Sequence, residues 1–144
     1  MITSICVAGA GTMGSGIALC AAQHGFAVIL FDKHEAIMEK ARLSNQKILD
    51  SLVMKGKMEA PTAQAISERI VYTTDLQHCK ADLIIEAIIE KMEAKVDLFK
   101  QFAVINEAST IFASNTSSLS IDALQEKLSH PERVAGMHFS IRHT

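Results

Sequence analysis

Val7-Ala8-Gly9-Ala10-Gly11-Thr12-Met13-Gly14-Ser15-Gly16-Ile17-Ala18 is the stretch on which the fold turns. The apolar run Ile2 to Ala8 reads as a buried strand, and Thr12 to His24 reads as the helix that follows the glycines. Gly9, Gly11 and Gly14 sit between them at dinucleotide-fingerprint spacing. One glycine makes the tight turn, one lets backbone approach a pyrophosphate, and one lets the helix pack on the strand. The helix N-terminus, with the amides of Thr12 and Met13, offers N–H groups and partial positive charge to phosphate.

Working outward, Phe26 to Phe31 reads as a second strand, and Asp32 closes it, 23 positions after Gly9. An acid there suits ribose hydroxyls and repels a 2′-phosphate, so NAD is expected rather than NADP. Further strands are expected at Arg69–Thr73, Asp82–Ala87, Thr110–Ser114 and Arg133–Phe139. Helices are expected over 34–57, with Ile37, Ala41, Ile48 and Leu52 inward, over Lys91–Asn106, with Met92, Val96, Phe99 and Ala103 inward, and over Ile121–Leu128. Gly56 and Pro61 are expected to break the pattern between helix and strand. Apolar strands alternating with helices specify an α/β class: a Rossmann-type, doubly wound, mainly parallel sheet with helices on both faces. Its ligand crevice lies at the carboxyl ends of the strands.

The chain has 144 residues, 49% of them hydrophobic, enough for one domain with a substantial core. A net charge of −2 and an aromatic content of 5% without Trp argue against a nucleic-acid or membrane-surface partner. Cys6, Cys20 and Cys79 form neither a metal pair nor a disulfide framework and suit a reducing cytoplasm. No leader segment and no metal site are expected.

The remaining candidates are polar groups at strand ends. Glu86, Glu90 and Lys95 lie at and beyond the fourth strand. Glu90 and Lys95 either face solvent and pair locally or line the crevice, Glu86 either caps the strand end or faces the crevice, and the residues alone leave these open. Ser114-Asn115-Thr116-Ser117-Ser118 follows the fifth strand, as a capped turn or as a hydroxyl cluster beside the ligand. His138 ends the sixth strand, where an imidazole could accept a hydroxyl proton while a serine holds the same oxygen. His24, His34, His78, His130 and His143 lack such company and read as surface histidines.

Four ordered motifs then carry a resemblance. The glycine segment from Val7 to Ala18, Ile85-Glu86-Ala87-Ile88-Ile89-Glu90, Phe112 to Leu119, and Arg133-Val134-Ala135-Gly136-Met137-His138-Phe139 resemble the 3-hydroxyacyl-CoA dehydrogenases, especially the 3-hydroxybutyryl-CoA branch. The resemblance implies an oxidoreductase that passes hydride between (S)-3-hydroxyacyl-CoA and NAD in fatty-acid or butyrate metabolism. It implies His138 as catalytic base and Ser117 as the serine near nicotinamide and substrate oxygen. Asp32, Glu90, Lys95 and Ser117 join Gly9, Gly11, Thr12, Met13 and Gly14 as cofactor-contacting positions, and Lys55 and Lys57 fall near the CoA phosphates.

Residues 1–139 are then the NAD-binding domain and residues 140–144 an atypical tail. Ile141 stands where the family has an asparagine. The family's helical domain, with the glutamate that orients the histidine, has no counterpart, so NAD(H) binding with negligible turnover is expected of this chain alone. A homo-oligomer through the edge from Ile121 to Ile141 is a further expectation. Two other readings stay open, a stand-alone NAD-binding regulatory module and a related NAD-dependent hydroxy-acid dehydrogenase.

Overall fold

A computed structural model describes residues 1–116 and 120–137. Among these residues six strands form one parallel sheet: β1 (Ser4–Ala8), β2 (Ala27–Phe31), β3 (Ile70–Thr73), β4 (Leu83–Glu86), β5 (Ile111–Ser114) and β6 (Val134–Gly136), in the order β3-β2-β1-β4-β5-β6. The expected doubly wound fold is what the chain adopts. Side chains alternate across the sheet and feed two separate cores. Ile5, Val7, Val28, Leu30, Leu83, Ile85 and Ala113 pack under α1 (Thr12–Gln23), α2 (Glu35–Met54) and α3 (Ala60–Glu68). Cys6, Ala8, Phe31, Ile84 and Phe112 pack under α4 (Met92–Ile105) and α5 (Ile121–Glu126).

Helix α1 ends as its sequence directs. Gly25 has φ +93°, its N–H reaches the Ala22 carbonyl, and the Phe26 N–H reaches Ala21, closing a Schellman motif. That turns the chain directly into β2.

Three helical expectations are corrected. In α2 the buried stripe is Met38, Ala41, Asn45 and Leu49, whereas Ile37 and Ile48 are exposed. A buried asparagine displaces the apolar count: Asn45 Nδ2 donates to the Ser15 carbonyl and the Tyr72 hydroxyl, and Asn45 Oδ1 accepts from Ser15 Oγ. Pro61 does not break the helical region; it lies in the first turn of α3, where its missing N–H would have had no partner in any case. In α4 the inward face is Lys95, Phe99 and Phe102, while Ala103 is exposed.

The last residues of all six strands fall in one register row, Thr73–Phe31–Ala8–Glu86–Ser114–Gly136. Whatever follows each strand therefore stands on a common rim. Among the described residues, no helix is long and apolar enough to cross a membrane, and no group of side chains is suited to hold a metal ion.

Candidate functional site: a dinucleotide crevice

At the centre of the rim the chain passes from β1 into the glycine loop. Gly9 has φ +107°, and a Cβ there would sit 2.5 Å from the Ala87 carbonyl oxygen. A Cβ on Gly14 would sit 1.7 Å from the Gly9 carbonyl oxygen, so only glycine lets the first turn of α1 close over the loop. Gly11 differs: its φ of −68° suits any residue, and a Cβ would meet no protein atom within 4 Å. The space before Gly11 is open, as a bound pyrophosphate would require. Gly11 caps α1 without a side-chain bond, and the first intrahelical contact is Ser15 N–H to the Gly11 carbonyl. The amides of Thr12, Met13 and Gly14 thus belong to the helix turn that has no internal acceptors.

Asp32 follows β2 on the same rim and is tied to the loop. Its Oδ2 accepts from Ala10 N–H at 3.0 Å, and its Oδ1 accepts from His34 N–H at 2.9 Å. The His34 ring Nδ1 also lies 3.1 Å from Oδ1, and His34 is exposed at the surface, as the sequence leads one to expect. A carboxylate accepts about four hydrogen bonds, which leaves acceptor capacity for a ribose diol. The loop, the helix end and the acid fit an NAD adenosine ribose and pyrophosphate.

On the other side of the switch point the rim carries charge. Lys95 is wholly buried rather than solvent-facing, with Nζ 2.6 Å from Glu86 Oε2 and 3.0 Å from Glu90 Oε1. Glu86, also wholly buried, was a legible residue whose role was not; the signal was an acid ending the apolar run Leu83-Ile84-Ile85, with a lysine nine positions on. Thr116 Oγ1 donates to Glu90 Oε2 at 2.6 Å. Met137 is held by its N–H to the Ser114 carbonyl, 3.0 Å. Ser117 and His138 lie outside the described residues, but they come directly after Thr116 and Met137 in the chain.

Lys55 and Lys57 are not brought to the crevice. They sit exposed where α2 turns into α3, and a 20-residue helix separates them from Asp32 by roughly 30 Å.

β2 and β6 lie four strand spacings apart, roughly 19 Å, so only a ligand spread along the rim meets both ends. That extent suits a dinucleotide. The family model described as 3-hydroxyacyl-CoA dehydrogenase, NAD binding domain, matches residues 4–141. The chain belongs to this family. As a 3-hydroxyacyl-CoA dehydrogenase NAD-binding domain, it is 40% identical over 139 residues to the 3-hydroxyadipyl-CoA dehydrogenase of Escherichia coli, covering 96% of this chain and 29% of that one. It is 44% identical to a probable 3-hydroxybutyryl-CoA dehydrogenase of Deinococcus radiodurans, covering 92% and 48%. The crystal structure of 3-hydroxybutyryl-CoA dehydrogenase from E. coli K12 superposes with a TM-score of 0.93 at 40% identity, over 96% of this chain and 30% of that one. This NAD-binding domain thus spans less than half the length of these relatives.

Proposed function

We propose that this domain serves an enzyme that oxidises (S)-3-hydroxyacyl-CoA to 3-oxoacyl-CoA, and reduces it in the reverse direction. The observation that carries the reading is the pairing of β5 with β6, Ser114 opposite Gly136, which launches the segments bearing Ser117 and His138 from adjacent points of the rim. When bound, NAD supplies the hydride acceptor. His138 takes the proton of the 3-hydroxyl group, and Ser117 donates a hydrogen bond to the same oxygen as it becomes a carbonyl. Asp32, Glu90 and the glycine loop hold the cofactor in this reading, and the buried Lys95 acts behind them through its ion pair with Glu90. Lys55 and Lys57 meet the phosphates of the CoA portion, far from the reacting carbon.

The length that the relatives have beyond this chain supplies the substrate cleft and the partner that orients the histidine. We place the protein in the cytoplasm and in fatty-acid or butyrate metabolism. A homo-oligomer through the β6 edge is the assembly in this reading, supported by β6 ending the sheet among the described residues.

The test joins this chain to the remaining half of the Deinococcus relative and follows NADH oxidation with acetoacetyl-CoA. The fusion turns over, the chain alone binds NADH with negligible turnover, and H138Q in the fusion loses a factor of about 10²–10⁴. Full activity of the H138Q fusion refutes the assignment.

A further inference from the structure

Glu86 closes β4 at the rim yet is shut off from solvent. A buried carboxylate is stable only where its oxygens are supplied with donors. Oε2 accepts from Lys95 Nζ at 2.6 Å and from the Ile88 N–H at 2.7 Å, and Oε1 accepts from Ser114 Oγ at 2.5 Å. Lys95, from the first turns of α4, continues the network to Glu90, and Glu90 continues it to Thr116, the residue before Ser117. One carboxylate therefore ties together the end of β4, the segment leading into α4, α4 itself and the end of β5.

A well-packed apolar set would serve stability as well as a buried ion pair does. What the ionic set supplies is a fixed geometry at one half of the crevice. Asp32 marks the adenosine half on the β1–β2 side, so the second nucleotide lies over the β4–β5–β6 half. We propose that Glu86 is a positioning residue for the nicotinamide end of the cofactor, acting through Lys95 and Ser114 to set the β4–α4 and β5 walls of the crevice. It touches no cofactor atom itself, since it has no exposed surface. The proposal rests on the NAD-binding reading of the crevice and adds to it which buried group fixes its nicotinamide half.

The experiment uses the 144-residue chain and two ligands, NADH and ADP-ribose, which lacks the nicotinamide. Calorimetry gives both affinities, and thermal melting checks the fold. E86Q keeps the shape and removes the charge; S114A removes one hydrogen bond and no charge, and keeps the proposal testable should E86Q unfold. The expected result is NADH binding weakened about tenfold or more in E86Q and about threefold in S114A, with ADP-ribose affinity within about twofold of wild type in both. NADH fluorescence, which reports the nicotinamide surroundings, shifts toward the free emission in the same variants.

Equal weakening for both ligands, or NADH affinity unchanged, overturns the proposal and leaves Glu86 a structural residue. Wild-type protein that binds neither ligand overturns the underlying cofactor reading, a result visible before any variant is made.

Discussion

Substituting Gly11 and Gly14 by alanine separates the two tasks of one loop. At Gly11 the φ of −68° is one that alanine adopts, and the new Cβ meets no protein atom within 4 Å. Losing a glycine N-cap costs roughly 0.5–1 kcal/mol, and the stiffer unfolded chain returns about 0.4–1 kcal/mol. G11A therefore melts within about 4 °C of wild type. At Gly14 the Cβ would lie 1.7 Å from a backbone oxygen, and real contacts stay beyond 3.0 Å, so main chain must shift by 1.3 Å (3.0 − 1.7) or more. Overpacking of that kind reaches about 3 kcal/mol, a fall of roughly 10 °C for a domain of this size.

Cofactor affinity responds in the other sense. The G11A methyl projects into the space that the pyrophosphate needs, and losing one charge-assisted hydrogen bond is worth roughly 1.5–3 kcal/mol, or about 10- to 150-fold in Kd. Melting curves and NADH fluorescence titrations on both variants decide the matter. G11A that binds NADH as wild type does, or that melts as low as G14A, refutes the reasoning.

Two further outcomes follow from side chains away from the loop. Hydrogen bonds from the Thr3 and Ser4 amides and the Thr3 hydroxyl hold the Asp82 carboxyl below its ordinary range, so its contribution to stability is full above about pH 4 and disappears as pH falls through the lower folded value. Urea midpoints of D82N consequently fall less steeply than wild type below pH 4, and parallel acid limbs contradict this. Cys20 is exposed while Cys6 and Cys79 are buried; hydrogen bonding with Cys79, reinforced by burial, also keeps the Cys6 thiol well above its usual range. A thiol reagent at pH 8 should titrate one cysteine in native protein and three in guanidinium, and rapid reaction of a second native thiol refutes the packing.

The fold was legible because each strand is a short apolar run ended by a glycine, an acid or a hydroxyl cluster, and in a doubly wound sheet those ends must share a side. The glycine loop and Asp32 were legible for the same reason, their spacing being fixed by the βαβ unit. Lys95 and Glu86 were not: periodicity treats a charged residue as outward, and only a partner from a neighbouring strand makes burial tolerable. Asn45 misled the reading of α2 in the same way, since its partners Ser15 and Tyr72 come from other elements. Pro61 misled it through position, because a proline that opens a helix and one that ends it look alike until the following turns are counted.

Asp32 has a lesson for anyone who would retool this domain for a phosphorylated coenzyme. Deleting the acid to admit an extra phosphate also strips the Ala10 and His34 amides of their acceptor, so the swap undoes a clasp as well as a filter. A successful redesign has to install a new acceptor for those two amides before it adds any cation.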